Sequence, residues 1–326
     1  MSNINKAVIS KSYDYWLIIF PIWLPILYFI SLSLLGNFHF FVLITFLLLG
    51  EIHFGSTYYF FKDKNYLNLL FDDPYIFVFW PILILIGCLF FGYLFGIPSI
   101  LFLILIFNFY HVNRQSAGIF KLFFFEERTS FSLSIFFIYF LSFSICLIGV
   151  FKFIFELELY FIYEQYIIQF FILLFLLTIF IIIFFMFKEN SFSLKKISLF
   201  FTSISIFAPI LFLDKMIDVF AMGVSMHYMQ YIALTYIIFK RKNIKSKDNL
   251  NFKSYSVSYY LIFLLIYAVS MVYMSGLNIN YKGENVGLYL IPVVFQLFHF
   301  YLDMFFWKFS KLHTRTNLSP YLFRKN

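Results

Sequence analysis

Residues 170–187 read FFILLFLLTIFIIIFFMF, a run in which only Thr178 is polar. A helix rises about 1.5 Å per residue, so about 20 apolar residues cross the roughly 30 Å hydrocarbon layer of a bilayer. No face of this run is left for water, so it is not the amphipathic helix of a soluble protein. Lys188, Glu189 and Asn190 close it.

The same test, carried outward, places helices at about 14–34, 38–61, 75–95, 98–113, 131–151, 162–187, 197–213, 217–239, 257–277 and 286–309. The breaks between them carry turn residues or charge, as at Gly36-Asn37, Gly96 to Pro98, Lys188 to Lys196 and Lys240 to Lys253. The expected fold is an all-α polytopic transmembrane bundle of about ten spans, a single integral membrane domain over residues 1–326. Composition agrees. Hydrophobic residues make up 63% of the chain and charged residues 12%, against about 45–50% and about 25% in soluble domains. The segment up to Ser12 is short and polar, and no small-residue cleavage site follows it, so the first apolar run reads as a span rather than a signal peptide. Cys88 and Cys146 both fall in apolar runs and suggest neither a disulfide framework nor a CxxC zinc site. The 54 Phe residues read as codon bias, not as a cofactor box.

Charge sets the orientation. With the N-terminus inside, only Lys152, Lys215 and Lys282 of the 24 Lys and Arg residues fall in outer loops. Such a bias orients a membrane protein, and it puts both termini in the cytoplasm of a multi-pass inner (cytoplasmic) membrane protein. The net charge of +8 follows from this bias. It implies lipid headgroups as partners and no nucleic acid, because the basic residues are spread along one face with no binding module. Residues after His111, through Arg114 and Lys121, read as an amphipathic continuation at the cytoplasmic interface.

Four of the six histidines, His53, His111, His227 and His299, fall inside expected spans, in the middle or cytoplasmic half of the bilayer. Ionisable groups at that depth are costly and mark functional sites. Residues three or four apart share a helix face. His111 thereby joins Asn108, Arg114 and Gln115; His227 joins Gln230 and Tyr231; His299 joins Gln296 and Asp303; His53 joins Gly50 and Thr57. Imidazoles bind iron, zinc and copper well, and a ligating imidazole normally gives its second N–H to an acceptor. The expected metal ligands are therefore His53, His111, His227 and His299. Asp303, Gln230 and Gln296 are expected around them, with Asp303 orienting His299. Glu51 is a candidate buried carboxylate and Tyr231 a further polar partner. Arg114 suits a lipid phosphate or a substrate carboxylate. His39 and His313 read as surface groups. The expected cofactor is a transition metal, Fe(II) first, with haem as a close variant because paired histidines on facing helices ligate it. Two other readings stay open: a secondary transporter, and an assembly protein whose histidines only hydrogen-bond between helices.

The stretch Ile52-His53-Phe54-Gly55 resembles a motif of the Brp/Blh family, membrane-embedded iron enzymes that cleave beta-carotene to retinal. An aromatic-rich helix with His111 followed by Arg114, and a late helix with His299, Asp303 and then a basic tail with His313 and Arg315, are similar too. The family's early His-Gly-x-x-Asp motif is absent, His111 stands alone where the family has two histidines, and His227 has no counterpart. The resemblance implies iron held by intramembrane histidines, with His53 and, after it, His111 and His299 carried over. It supports a metal-dependent oxygenase or dioxygenase acting on a lipophilic substrate such as a carotenoid or lipid.

Overall fold

The computed structural model describes residues 10–34, 36, 39–125, 128–155, 158–247, 257–276 and 286–322. Lys6, Glu126, Glu156, Lys253, Lys282, Arg324, Lys325 and the turn from Asn278 to Glu284 lie outside the described residues. All regular structure among the described residues is helical. Its longer helices are α1 (Trp23–Leu34), α2 (His39–Tyr58), α3 (Trp80–Phe95), α4 (Ile97–Phe124), α5 (Thr129–Phe153), α6 (Glu158–Lys188), α7 (Leu194–Ser205), α8 (Ser225–Lys247), α9 (Val257–Gly276) and α10 (Val286–Phe306).

Among the described residues, five segments are long and apolar enough to cross a membrane: Val42–Lys62, Tyr75–Phe95, Thr129–Phe153, Tyr160–Lys188 and Val257–Ser275. The bent pair Ser12–Ile19 and Trp23–Leu34 makes a sixth if its two halves form one span. The other expected spans differ for physical reasons. α4 and α8 carry the polar stripes around His111 and His227, which lower their hydropathy. α4 also runs on unbroken from the expected span through the expected interfacial segment. α7 stops at Ser205, because Pro209 cannot donate to the Ser205 carbonyl and its ring would clash with it; a 3-10 turn, Ala208–Leu211, follows. In α10 the apolar stretch with described side chains is Ile291–Phe306, and the side chains of 286–290 lie outside those described.

The chain divides into two compact units, residues 1–43 with 109–230 and residues 44–108 with 231–326. In the first unit α5 and α6 pack together. The buried stripe of α5, Phe131, Ser134, Ile138, Leu141, Ile145 and Gly149, steps by three or four residues, with Ser142 beside it. Small residues in such a stripe let helices approach closely without a hydrophobic drive between them. Glu189 caps the start of α5, its carboxylate accepting the Thr129 backbone N–H at 2.9 Å. The outer side of α6 stays exposed at Leu173, Leu176, Phe180, Phe184 and Phe187, a surface suited to lipid.

The first apolar segment is bent, as in a broken span or a re-entrant loop. Its two halves, Ser12–Ile19 and Trp23–Leu34, meet at 59° around Pro21. Pro21 has no N–H to continue the ladder. Backbone polar groups freed at such a break need partners, because the apolar layer offers no water. Here side chains supply them: Gln230 Nε2 donates to the Ile18 carbonyl at 2.6 Å, and Thr202 Oγ1 donates to the Ile19 carbonyl at 2.9 Å. The resumed half, α1, packs on a π-helical turn, Phe220–Val224. Within that turn Gly223 has no substitute, since a Cβ there would sit 2.0 Å from the Ile206 carbonyl oxygen.

In the second unit α9 packs on α10 and α10 on α3. Gly55 lets α2 press on the Tyr267 ring, which a Cβ would meet at 2.7 Å. Gly96 turns the chain from α3 to α4 at φ +79°, a conformation open to glycine. Below α2, Phe60 is fully buried and its ring lies 4.9 Å from both Tyr66 and Phe239. A polar knot closes this end: Lys242 Nζ meets Asp63 Oδ2 at 2.6 Å and lies over the rings of Tyr66 and Tyr321. Arg241 donates to the carbonyls of Tyr321 and Leu322. His313 packs edge-on to Tyr66 at 4.6 Å and bonds Asn317. His313, expected as a surface group, is thus half-buried in a tail segment tied to α8. Burial lowers the Lys242 ammonium from its ordinary value, with the Asp63 carboxylate opposing. Burial, and then the Lys242 charge, hold the His313 imidazole below its ordinary 6.5, again with Asp63 opposing.

Two outcomes follow from this packing. Gln230→Leu strands the Ile18 carbonyl and should cost about 1–3 kcal/mol of stability, read as a lower thermal unfolding midpoint in detergent. His313 binds its proton less readily folded than unfolded, so stability is full above pH 6.5 and falls as pH drops below it. Melting curves between pH 7.5 and 5 should show that acid-side loss, and His313→Gln should flatten it.

Candidate functional site

In the second unit three helices bring polar side chains together. On α2, His53 and Thr57 are one turn apart. On α10, His299, Asp303 and Trp307 follow at the same spacing, Trp307 just past the helix end. α8 brings Tyr231. All but Trp307 are buried, and His53, Thr57 and His299 are wholly inaccessible. Burying a carboxyl group in an apolar bundle is expensive unless donors surround it. Asp303 Oδ1 accepts from the Thr57 hydroxyl at 2.8 Å and from the Tyr231 hydroxyl at 2.7 Å. Trp307 Nε1 donates to the Tyr231 hydroxyl oxygen at 3.1 Å. The Thr57 oxygen also lies 2.8 Å from His299 Nδ1. Asp303 Oδ2 lies 3.7 Å from His299 Nε2. The His53 ring stands edge-on 4.5 Å from His299 and 4.4 Å from Tyr231.

The first unit holds the other pair. His111 on α4 and His227 on α8 are buried, with rings 5.5 Å apart and nearly perpendicular. His227 follows directly on the π-helical turn Phe220–Val224, a distortion frequent at functional sites.

Each remaining expected residue has a definite place. Gln230 is buried, with its amide nitrogen engaged at the break of the first span, as described above. Gln296 and Glu51 are half-buried in the second unit, and Arg114 is half-buried in the first. His39 opens α2, but its side chain is not among those described. Asp303 meets His299 on both sides: Oδ2 lies 3.7 Å from Nε2, and Oδ1 reaches Nδ1 through the Thr57 hydroxyl. Thr57 and Trp307 are the residues that sequence reasoning left out of the site. Both carry the same signal, a position four residues from a chosen one: Thr57 from His53, and Trp307 from Asp303.

His53, His111, His227, His299 and Asp303 are all buried, and each offers a donor atom of a kind that binds metal. Imidazoles with one carboxylate suit Fe(II) and zinc. The 3.7 Å between His299 Nε2 and Asp303 Oδ2 is close to the roughly 3 Å that separates two ligand atoms each about 2 Å from one ion. Comparison with known protein families, with curated proteins and with solved structures finds no match. The functional case therefore rests on these side chains.

Tyr231→Phe tests the hydrogen-bonded core of the second unit. It removes a donor to Asp303 and the acceptor of the Trp307 N–H. The expected result is a loss of about 1–3 kcal/mol, measured by thermal unfolding, with a change in Trp fluorescence from the altered surroundings of Trp307.

Proposed function

We propose that this chain is a membrane-embedded, metal-dependent oxidoreductase of the oxygenase type, acting on a lipophilic substrate. His53, His111, His227 and His299 are its metal ligands, and Fe(II) is the first candidate metal. One observation carries the reading: a buried His299–Asp303 pair whose other atoms are held by Thr57 and Tyr231 in the interior of apolar helices. Metal-binding histidines are held in this way by an acceptor on the second nitrogen. A bound Fe(II) with open positions supplies oxygen activation. The chain's residues fix the imidazoles and keep water from them. Substrate would enter from the lipid, and the resemblance of Ile52-His53-Phe54-Gly55 to the Brp/Blh family makes a carotenoid the first compound to try.

The proposed topology has about ten spans with both termini in the cytoplasm of the inner membrane. It is supported by the charge bias, which leaves three of 24 basic residues in outer loops.

A second reading, a secondary transporter, is favoured by the break of the first span at Pro21, since discontinuous helices build transport sites. Haem in place of a mononuclear metal is a variant of the first reading.

Metal analysis of protein purified in detergent tests the proposal. The expected result is a transition metal bound in stoichiometric amount by the wild type and lost in His53→Ala, His111→Ala, His227→Ala and His299→Ala. A metal-free wild type, or variants with full metal content, would overturn it. A Soret band in the absorption spectrum would instead identify haem.

A further inference from the structure

We infer that Thr57 is a positioning residue that sets the tautomer of His299, placing the proton on Nδ1 and leaving the lone pair on Nε2. The inference deepens the metal-enzyme reading, since it names the residue that makes His299 a ligand, but the proton count behind it stands without a metal. A threonine hydroxyl has one proton to give. Thr57 gives it to Asp303 Oδ1, 2.8 Å away. The same oxygen lies 2.8 Å from His299 Nδ1, so that contact is a hydrogen bond only if Nδ1–H donates to Thr57.

Tyr231 cannot take over this role. Its single proton also goes to Asp303 Oδ1, at 2.7 Å, and its oxygen receives the Trp307 N–H. The Thr57 and Tyr231 oxygens are also hydrogen-bonded to each other at 2.6 Å, with either hydroxyl able to donate; a proton that Thr57 spends on Tyr231 or on Asp303 is in both cases not left for Nδ1.

With Nδ1 protonated, Nε2 is the basic nitrogen, and it is the one 3.7 Å from Asp303 Oδ2. The arrangement divides the labour of Asp303. Oδ1 acts through Thr57 on the far side of the imidazole, while Oδ2 stands beside the nitrogen that would bind metal. Thr57 is suited to this because its side chain is fully buried in the last turn of α2, and a short branched side chain has few rotamers. A valine has the same shape and no hydroxyl; a serine keeps the hydroxyl and loses the methyl.

The test is nitrogen NMR of protein with ¹⁵N-labelled histidine in nanodiscs, with metal removed. The His299 signal is assigned by its absence in His299→Asn. The expected wild-type spectrum has a protonated Nδ1 and a lone-pair Nε2. Thr57→Ser keeps that pattern, and Thr57→Val loses it to the opposite tautomer or a mixture. In the metal-loaded protein, Thr57→Val should weaken metal retention about 10–100-fold, with Thr57→Ser within a few-fold of wild type. An Nε2–H tautomer in the wild type, or a Thr57→Val protein with unchanged tautomer and metal affinity, would overturn the assignment. The wild-type tautomer decides even if a variant fails to fold. A wild type that binds no metal but shows the Nδ1–H tautomer would overturn the enzyme reading and leave this one intact.

Discussion

A carboxyl group among apolar helices has no water to turn to, and the side chains around Asp303 follow from that constraint. Its Oδ1 gathers the hydroxyls of Thr57 and Tyr231, and these draw in His299 and Trp307. One buried acid thereby ties α2, α8 and α10 at a single point. The cost of placing it there is hard to justify for stability alone, because apolar side chains of similar volume pack at least as well.

The same constraint shapes the first unit, with backbone atoms in place of a side chain. The bend around Pro21 leaves the Ile18 and Ile19 carbonyls outside the helical ladder, and Gln230 and Thr202 supply the missing donors. In both units these particular polar side chains find their partners on another segment of the chain. A stripe at a spacing of three or four residues is therefore only half of each arrangement, and the partner stripe is the other half.

This explains what could be read from the amino-acid sequence and what could not. Helix content and the apolar runs were legible because they depend on local composition, as at residues 170–187. The buried histidines and Asp303 were legible because a polar group within such a run stands out. The roles of individual partners were not. Gln230 sits one turn past His227, and spacing alone made it a neighbour of the site; its partner, Ile18, is 212 residues away. Thr57 was visible as the residue one turn past His53. Its importance depends on Asp303, 246 residues on, and no local pattern announces that. The break within the first span was hidden for a related reason. Pro21 lies in a run apolar enough to read as continuous, and whether a proline kinks a helix or ends it depends on who satisfies the freed carbonyls. The end of α7 is different, since Pro209 by itself accounts for the stop at Ser205.

The capped break in the first span also bears on how the protein is made. A straight helix carries all its own backbone hydrogen bonds and can enter the lipid as soon as it is synthesised. Residues 12–34 cannot do this fully. The groups that complete them, Thr202 and Gln230, leave the ribosome 183 and 212 residues after their partners Ile19 and Ile18. During that interval the bend either stays near the wet interface or shelters against the insertion machinery. Final seating of this early segment is thus among the late events of assembly, and a chain interrupted before residue 230 would hold it in an unfinished state.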